Sequence, residues 1–292
     1  MIALPSGKSM EEPTLALLKA AHISVHRSHP RMCMAQVSGL PGITQAVFFK
    51  PSQIVEVVAS GDAALGITGQ DVLFESGSYD AITHIVDLPY SRATANPTRC
   101  VVFAGKGVDT SLQALQGEQI IAEYQRETRI FLEQAGISAT VVPCSGSAES
   151  YVAIGRYKYG VALTETGTSL RENGFEEVAE VFSSQMILIA NKGLWTSDPH
   201  LRDSADFLGR LLRGVFEARG KVYLLMNAPT ANVEEIRTTL PSLKSPTIQP
   251  LADPAFCSIG SVVPTDRINE LKMRLMELGA SGFVELDPGS VM

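Results

Sequence analysis

Short apolar runs alternate with amphipathic, helix-spaced stretches along the first two thirds of this chain, and the alternation begins twice. The first round opens with the apolar run 1–4 and a Pro5-Ser6-Gly7-Lys8-Ser9 loop. Leu15, Leu18 and Ala21 then recur at helical spacing behind Glu11 and Glu12, acids suited to the positive end of a helix dipole. Residues 45–49 read as a strand, 52–60 as a helix stopped by Gly61, 63–67 as a buried strand, and Asp71 onward as a short helix. The second round places strands at 99–104, 119–122, 140–142 and 161–164. Its helices run through Phe131 and Leu132 to an Ala135-Gly136 stop, and over 147–156. Strands at 178–182 and 186–190 close it. Such alternation predicts α/β layers around a largely parallel sheet. Two rounds of similar size predict two lobes and a cleft, with ligands beyond the carboxyl ends of the strands.

A third pattern follows. Leu201, Ala205, Leu208, Leu211, Leu212 and Val215 make the apolar stripe of a long helix over about 199–219. Beyond it come a strand at 222–226, helix-start residues Thr230 and Asn232, strands at 247–251 and 257–263, a helix over 265–278 closed by Gly279, and a last strand at 282–286. Asn232 and Glu235 have capping-box spacing. The order β-α-β-β-α-β is the ferredoxin-like arrangement. The 292 residues therefore divide into one lobe from 1–95 and 183–216, a second from 96–182, and a small appended domain from 217–292.

Composition narrows the function classes. Hydrophobic residues make up 45% and charged residues 19%, a balance that fills more than one core. With 24 Lys+Arg against 31 Asp+Glu, net charge −7, and no basic run, the chain is a poor phosphate-neutralising binder of nucleic acid. No apolar stretch approaches the ~20 residues that span a bilayer. The opening MIALPSGKSMEEP lacks the regions of a secretory signal, so a cytoplasmic location is expected. Cys33, Cys100, Cys144 and Cys257 form no CxxC, which leaves reduced thiols as the reading. His22, His26 and His29 lie on a segment whose Ile23 and Val25 alternate with polar residues and which Pro30 ends. That is a strand carrying surface histidines rather than a metal-binding helix face.

The strongest site signal is Thr164-Glu165-Thr166-Gly167-Thr168-Ser169-Leu170, where a buried strand meets a helix. Helix-start N–H groups, the hydroxyls of Thr166, Thr168 and Ser169 and a flexible Gly167 suit a phosphate, or an ordinary hydroxyl-rich cap. Gly7-Lys8-Ser9 is not a P-loop, because Ile2 stands where that motif needs glycine. Lys8 can still reach a phosphate as a point charge, or be a solvated loop lysine. Gly146-Ser147-Ala148-Glu149 opens a helix and can place a carboxylate over the cleft. Gly66 and Gly69 mark either close ligand approach or tight packing.

Together these segments resemble the ATP phosphoribosyltransferase family in its long form, over almost the whole chain. The markers are Ile2-Ala3-Leu4-Pro5-Ser6-Gly7-Lys8, Gly61 through Val72, Gly146 to Glu149, Glu165 through Leu170 with Asn173-Gly174, and Tyr223 through Thr230. Pro246-Thr247-Ile248 and Leu278-Gly279-Ala280-Ser281 complete them. The resemblance implies a two-lobed, periplasmic-binding-protein-like catalytic core and a C-terminal ferredoxin-like (ACT-like) regulatory domain that takes histidine. It implies transfer of phosphoribose from phosphoribosyl pyrophosphate to N1 of ATP with Mg²⁺, the first step of histidine biosynthesis, in a homo-oligomer, dimer or hexamer. It places phosphoribosyl pyrophosphate on Glu165, Thr166, Gly167, Thr168 and Ser169. Nucleotide or pyrophosphate falls to Gly7, Lys8, Gly69, Arg99 and Glu149.

The chain departs from the family pattern at motif positions. Ala64 and Ala162 stand where aspartate is usual, Lys158 where an acid is usual, and Lys50 through Val55 replace an Arg-x-x-Asp-Ile-Pro run. Val101 follows Cys100 where the family has a second arginine. A carboxylate lost from a ribose and metal site removes hydroxyl acceptors and charge; Glu149 and Glu165 can supply acidity instead. Three readings stand: an active transferase using ATP, a relative using another acceptor, and a non-catalytic ligand-binding regulator.

Overall fold

The computed structural model describes residues 1–29, 31–90, 97–241 and 245–292, and not the side chain of Lys8. Pro30 and the lobe boundary expected at 95–96 lie outside the described residues. The chain forms two compact units, Met1–Gly209 and Arg210–Met292.

The first unit holds two mixed sheets. β1 (Ile2–Pro5) is buried along its whole length. Gly7, at φ 99°, turns the chain into α1 (Lys8–Ala20), a backbone angle that side chains rarely adopt. β2 (Ser24–His26), β3 (Met34–Ser38) and β4 (Gln45–Phe49) form a meander, and β4 returns parallel to β1. α2 (Pro51–Ala59) buries Ile54, Val55 and Val58 on the sheet, and β5 (Leu65–Gly69) lies parallel to the other side of β1. α3 (Gln70–Ser76) ends at Gly77, and β6 (Ile82–Leu88) follows. The second sheet is built from β7 (Thr98–Ala104), β8 (Gln119–Ala122), α4 (Gln125–Gln134), β9 (Thr140–Pro143), α5 (Ala148–Ala153), β10 (Tyr159–Thr164), α6 (Thr168–Glu172) and β11 (Glu176–Ser184). Its strand order is β11-β7-β10-β8-β9. β12 (Met186–Asn191) crosses back between β5 and β6, giving β2-β3-β4-β1-β5-β12-β6. α7 (Lys192–Ser197) and α8 (Pro199–Ala218) follow, and the division between the units falls inside α8.

In the second unit, β13 (Lys221–Pro229), α9 (Val233–Thr239), β14 (Thr247–Pro250), β15 (Phe256–Pro264), α10 (Ile268–Glu277) and β16 (Ser281–Leu286) build an antiparallel sheet ordered β14-β15-β13-β16. This is the ferredoxin-like order. Val222, Leu224, Met226 and Ala228 alternate inward along β13 and meet Ile259, Ile236 and Leu275. Burying a side chain such as Leu224 contributes roughly 1.5–3 kcal/mol.

Three local expectations fail for physical reasons. The sheets are not largely parallel. In the first, only β4-β1-β5 is parallel, and hairpins and the returning β12 make every other pairing antiparallel. In the second, β8, β9 and β10 are parallel, β7 runs against β10, and the edge strand β11 pairs antiparallel with β7. The Asn232–Glu235 capping box does not form, because the Asn232 amide donates instead to Leu278 O at 2.9 Å and ties α9 to the end of α10. His22 lies outside the strand, in a turn at φ 60°.

Candidate functional site

Two adjoining cavities of the first unit lie where the parallel strands end. The larger, about 290 Å³, is lined by Met10, Lys50, Gly69, Asp71, Thr98 and Ser184 among others. The smaller, about 130 Å³, is lined by Gly146, Ser147, Ala148, Glu149, Val161 and Ala162. Glu123, Tyr124 and Leu163 border both, so the two cavities lie side by side. Gly69 ends β5, Glu123 follows β8 and Leu163 is near the end of β10, so the site sits beyond carboxyl ends, as α/β topology favours.

Asp71 is its best-held polar group. It enters from α3 of the first sheet, and its partners come from the second. Tyr124 donates its hydroxyl to Oδ2 at 2.8 Å and Ser184 donates to Oδ1 at 2.8 Å. The Asp71 amide returns a hydrogen bond to Ser184 Oγ at 2.9 Å. Burial first, and the Asp71 charge second, push the Tyr124 phenol above its usual range, so it stays a neutral donor. The Gln70 amide donates to Gln185 O at 2.8 Å, which fixes the backbone beside it. Gly69 is required here by space, since a Cβ would overlap the Asp71 carboxylate. Gly66 has another reason: its Cβ would meet Ile54 and Val58 methyl groups at 2.8 Å, so it is a packing glycine.

The Thr164–Ser169 turn is arranged differently. Thr164 Oγ1 accepts the Gly167 amide at 2.8 Å, and Thr166 and Thr168 share a hydrogen bond between hydroxyls at 2.8 Å. Gly167 caps α6 in the left-handed region at φ 70°. The Arg171 guanidinium donates to Thr168 Oγ1 at 3.2 Å. Three hydroxyls and one cation therefore converge on the turn. The first amides of α6 have no acceptor within so short a helix.

The remaining residues singled out from sequence separate in space. Glu149 lines the smaller cavity, and Gly69 the larger. Gly7 precedes α1, which sends Met10 to the larger cavity, and Lys8 begins that helix. Arg99 forms a two-pronged ion pair with Glu177 at 2.9 and 3.0 Å and reaches Glu180 at 3.6 Å. These bonds, the guanidinium–Glu177 hydrogen bonds first, hold it above even the usual arginine range. Glu177 in turn comes to 2.6 Å from where a Gly167 Cβ would lie, so the pair flanks the turn. Glu165 joins β10 to that turn.

The departures from the family pattern separate too. Ala64 precedes β5 at the end opposite Gly69, roughly 16 Å away by strand rise, and is bonded through backbone to Met1 and Asn191. Lys158 precedes β10 at the end away from the turn and pairs with Glu118 at 2.6 Å. Ala162 lines the smaller cavity, and Lys50, Pro51 and Ser52 of the replaced run line the larger. Of Glu123, Tyr124 and Ser184, the sequence marks only Glu123-Tyr124, by its place directly after a buried strand.

Elsewhere, a groove of about 400 Å³ in the second unit is lined by Thr239, Asp266, Arg267, Glu270 and Arg274, with Arg267 already bonded to Glu270 at 2.8 Å. Among the described residues no group of three or more His, Cys, Asp or Glu is placed to hold a metal ion. None of the described helices is long and apolar enough to cross a membrane.

Comparison with known proteins shows the family. Residues 50–212 match the family model described as ATP phosphoribosyltransferase, and residues 218–287 match that of the HisG C-terminal domain. A protein of Nitratidesulfovibrio vulgaris named ATP phosphoribosyltransferase is 33% identical over 292 residues, covering all of this chain and 97% of its own length. One of the same name from Gemmatimonas aurantiaca is 34% identical over 290 residues, 97% of this chain and 96% of that one. Among solved structures, the ATP phosphoribosyl transferase (HisG:HisZ) complex from Thermotoga maritima superposes with a TM-score of 0.60 at 22% identity. It covers 74% of this chain and 98% of that one, and it shows a shared fold.

Proposed function

The chain belongs to the ATP phosphoribosyltransferase family, and from that premise we propose how its site works. The reaction is transfer of phosphoribose from phosphoribosyl pyrophosphate to N1 of ATP with release of pyrophosphate, the first step of histidine biosynthesis. The observation that carries it is agreement at 33% identity from end to end with a named transferase, both units included.

The transfer breaks a C–O bond to a good leaving group, so the protein mainly has to align N1 with the sugar carbon and stabilise the departing charge. In our reading the 5′-phosphate rests on Glu165, Thr166, Gly167, Thr168 and Ser169, whose hydroxyls converge with Arg171. Gly7, Lys8, Gly69, Arg99 and Glu149 serve the nucleotide or the pyrophosphate, with Lys50 a further cation on the larger cavity. Asp71 accepts from ATP or sugar hydroxyls while Tyr124 and Ser184 hold it. The carboxylates of Glu123 and Glu149 border the smaller cavity beside Ala162. Magnesium is commonly held by one or two carboxylates plus substrate phosphates, and this pair suits such an ion. When bound, Mg²⁺ offsets charge on the pyrophosphate.

For the second unit we propose a regulatory role with histidine as effector, and for the protein a cytoplasmic homo-oligomer, dimer or hexamer. Calorimetry with histidine and light scattering after size exclusion test these. The reaction is tested by pyrophosphate release from phosphoribosyl pyrophosphate and Mg²⁺, with and without ATP. ATP-dependent release is expected. Release that ignores ATP, or none, overturns the assignment.

A further inference from the structure

α4 begins with a poor cap of its own. The residue before it is Tyr124, which has no side-chain acceptor for the first-turn amides, and the helix makes no side-chain cap bond at that position. The acceptor comes from the other sheet, 51 residues earlier in the chain. Both oxygens of Glu75 take the Arg126 amide at 3.0 Å, and Oε2 also takes the Glu127 amide at 3.3 Å. A carboxylate at a helix start meets both the unpaired N–H groups and the positive end of the dipole.

The docking has other points. Arg126 donates its guanidinium to Phe74 O at 3.0 Å. Phe74 meets Phe182 edge-on at 5.6 Å, and Tyr124 meets the same ring at 5.6 Å. Asp71 and Glu75 lie one turn apart on α3 and therefore on the same face. One face of α3 thus holds two consecutive points of the second lobe: the Tyr124 hydroxyl and the first turn of α4. Asp71 and Tyr124 border the cavity, whereas Glu75 lines neither cavity.

We infer that Glu75 is a positioning residue for phosphoribosyl transfer: it fixes the start of α4, and through it the Tyr124 hydroxyl that holds the Asp71 carboxylate at the cavity. This rests on the reading of that cavity as the transfer site. A cap serving only α4 needs a carboxylate but no particular partner lobe. A cap supplied from α3 makes the Tyr124–Asp71 bond depend on how the two sheets are docked.

The test uses the full-length chain and the variants Glu75→Ala, Glu75→Gln, Tyr124→Phe and the double Glu75→Ala/Tyr124→Phe. For each, kcat and KM for both substrates are measured by pyrophosphate release, alongside the melting temperature. Displacements of about 1 Å cost up to about a hundredfold in rate, so Glu75→Ala is expected to lower kcat at least tenfold at temperatures where it remains folded. Glu75→Gln, which keeps one acceptor oxygen but loses the charge, is expected to lower kcat a few-fold, less than the alanine variant, and so covers the case in which the alanine variant fails to fold. The double variant is expected to lose no more than the worse single one, because both changes break one chain of contacts. Unchanged kcat and KM in Glu75→Ala or Glu75→Gln beside a lowered melting temperature would make Glu75 a structural cap only. Losses that multiply in the double variant would overturn the route through Tyr124. A parent protein that releases no pyrophosphate overturns the reaction itself and the role of Glu75 with it, whereas an active parent with unaffected variants overturns Glu75 alone.

Discussion

Two strand-to-helix turns carry polar groups of the candidate site, and they are held in opposite ways. At Gly69–Asp71 the carboxylate is gripped from the other sheet by Tyr124 and Ser184 before any ligand arrives. At Thr164–Thr168 the polar groups bond mainly to one another, hydroxyl to hydroxyl and hydroxyl to amide, within the turn. The first turn is preorganised by partners far away in the chain. The second can exchange its own short bonds for those of an anion at little cost, because each group keeps a partner throughout. A site that must orient one substrate and capture another has use for both arrangements.

The sharpest break of this contrast is Gly69→Ala. Its Cβ would displace the Asp71 carboxylate, while the backbone, at φ −75°, accepts alanine without strain. We expect kcat/KM to fall about a hundredfold with the fold retained, read by steady-state kinetics and circular dichroism. A variant with parental kinetics would show that Asp71 need not stay where it is. Removing the hydroxyls of the other turn, as Thr166→Ala/Thr168→Ala, should weaken phosphoribosyl pyrophosphate by about tenfold, the scale of one hydrogen bond to a charged group. Its effect on ATP affinity should be small, and equal losses for both substrates in calorimetry would dissolve the distinction between the turns. Glu177→Gln has the opposite sign. It releases Arg99 from its ion pair beside Gly167 and should tighten phosphoribosyl pyrophosphate a few-fold, about 1 kcal/mol or less; weaker binding would mean that the pair itself shapes the turn.

The smallest effect concerns stability near the gripped turn. Burial first, then the neighbouring Glu75 charge, raise the Glu127 carboxyl above its usual range, against the pull of Arg126. Its ionised form therefore costs the fold stability. That cost is fully present above the raised pKa and is relieved as pH falls to the ordinary carboxylate range. Glu127→Gln should melt about 1 °C higher than the parent at pH 8, with the gap closing near pH 4. Calorimetric scans at both pH values decide it, and a gap that widens in acid has the wrong sign.

How much was legible beforehand divides along the same line. The Thr164–Ser169 turn is local, its parts lie within six residues, and periodicity exposed the strand before it and the helix after it. The ferredoxin-like order of the last unit was legible for the same reason: β13, β15 and α10 each carry their own apolar period. The grip on Asp71 was not legible, because Ser184 lies 113 residues away and neither its type nor its spacing marks it. The same holds for Glu75 at the start of α4. β6 was missed although Ile82, Val86 and Leu88 are buried, since Thr83, His84 and Asp87 dilute its apolar signal. Parallelism was overestimated because alternation of strands and helices does not reveal a strand such as β12 that returns against its neighbours. Of the unusual motif residues, Ala64 and Lys158 looked like losses from a site until the strands showed them at the opposite ends from it.

That returning strand also sets an order of assembly. Among the described residues, β6 is an edge strand of the first sheet paired with β12, and β12 lies about a hundred residues further along. The second sheet is made wholly of the intervening, continuous segment. Contacts between near residues form before those that close long loops, so the second sheet should gain its hydrogen bonds first and the first sheet be completed last. In a pulse-labelling hydrogen-exchange experiment on refolding chain, amides of β8 and β10 should become protected before those of β6. The gripped turn at Asp71, which needs both sheets, would then be among the last parts of the molecule to acquire its final form, and its formation would mark the end of folding.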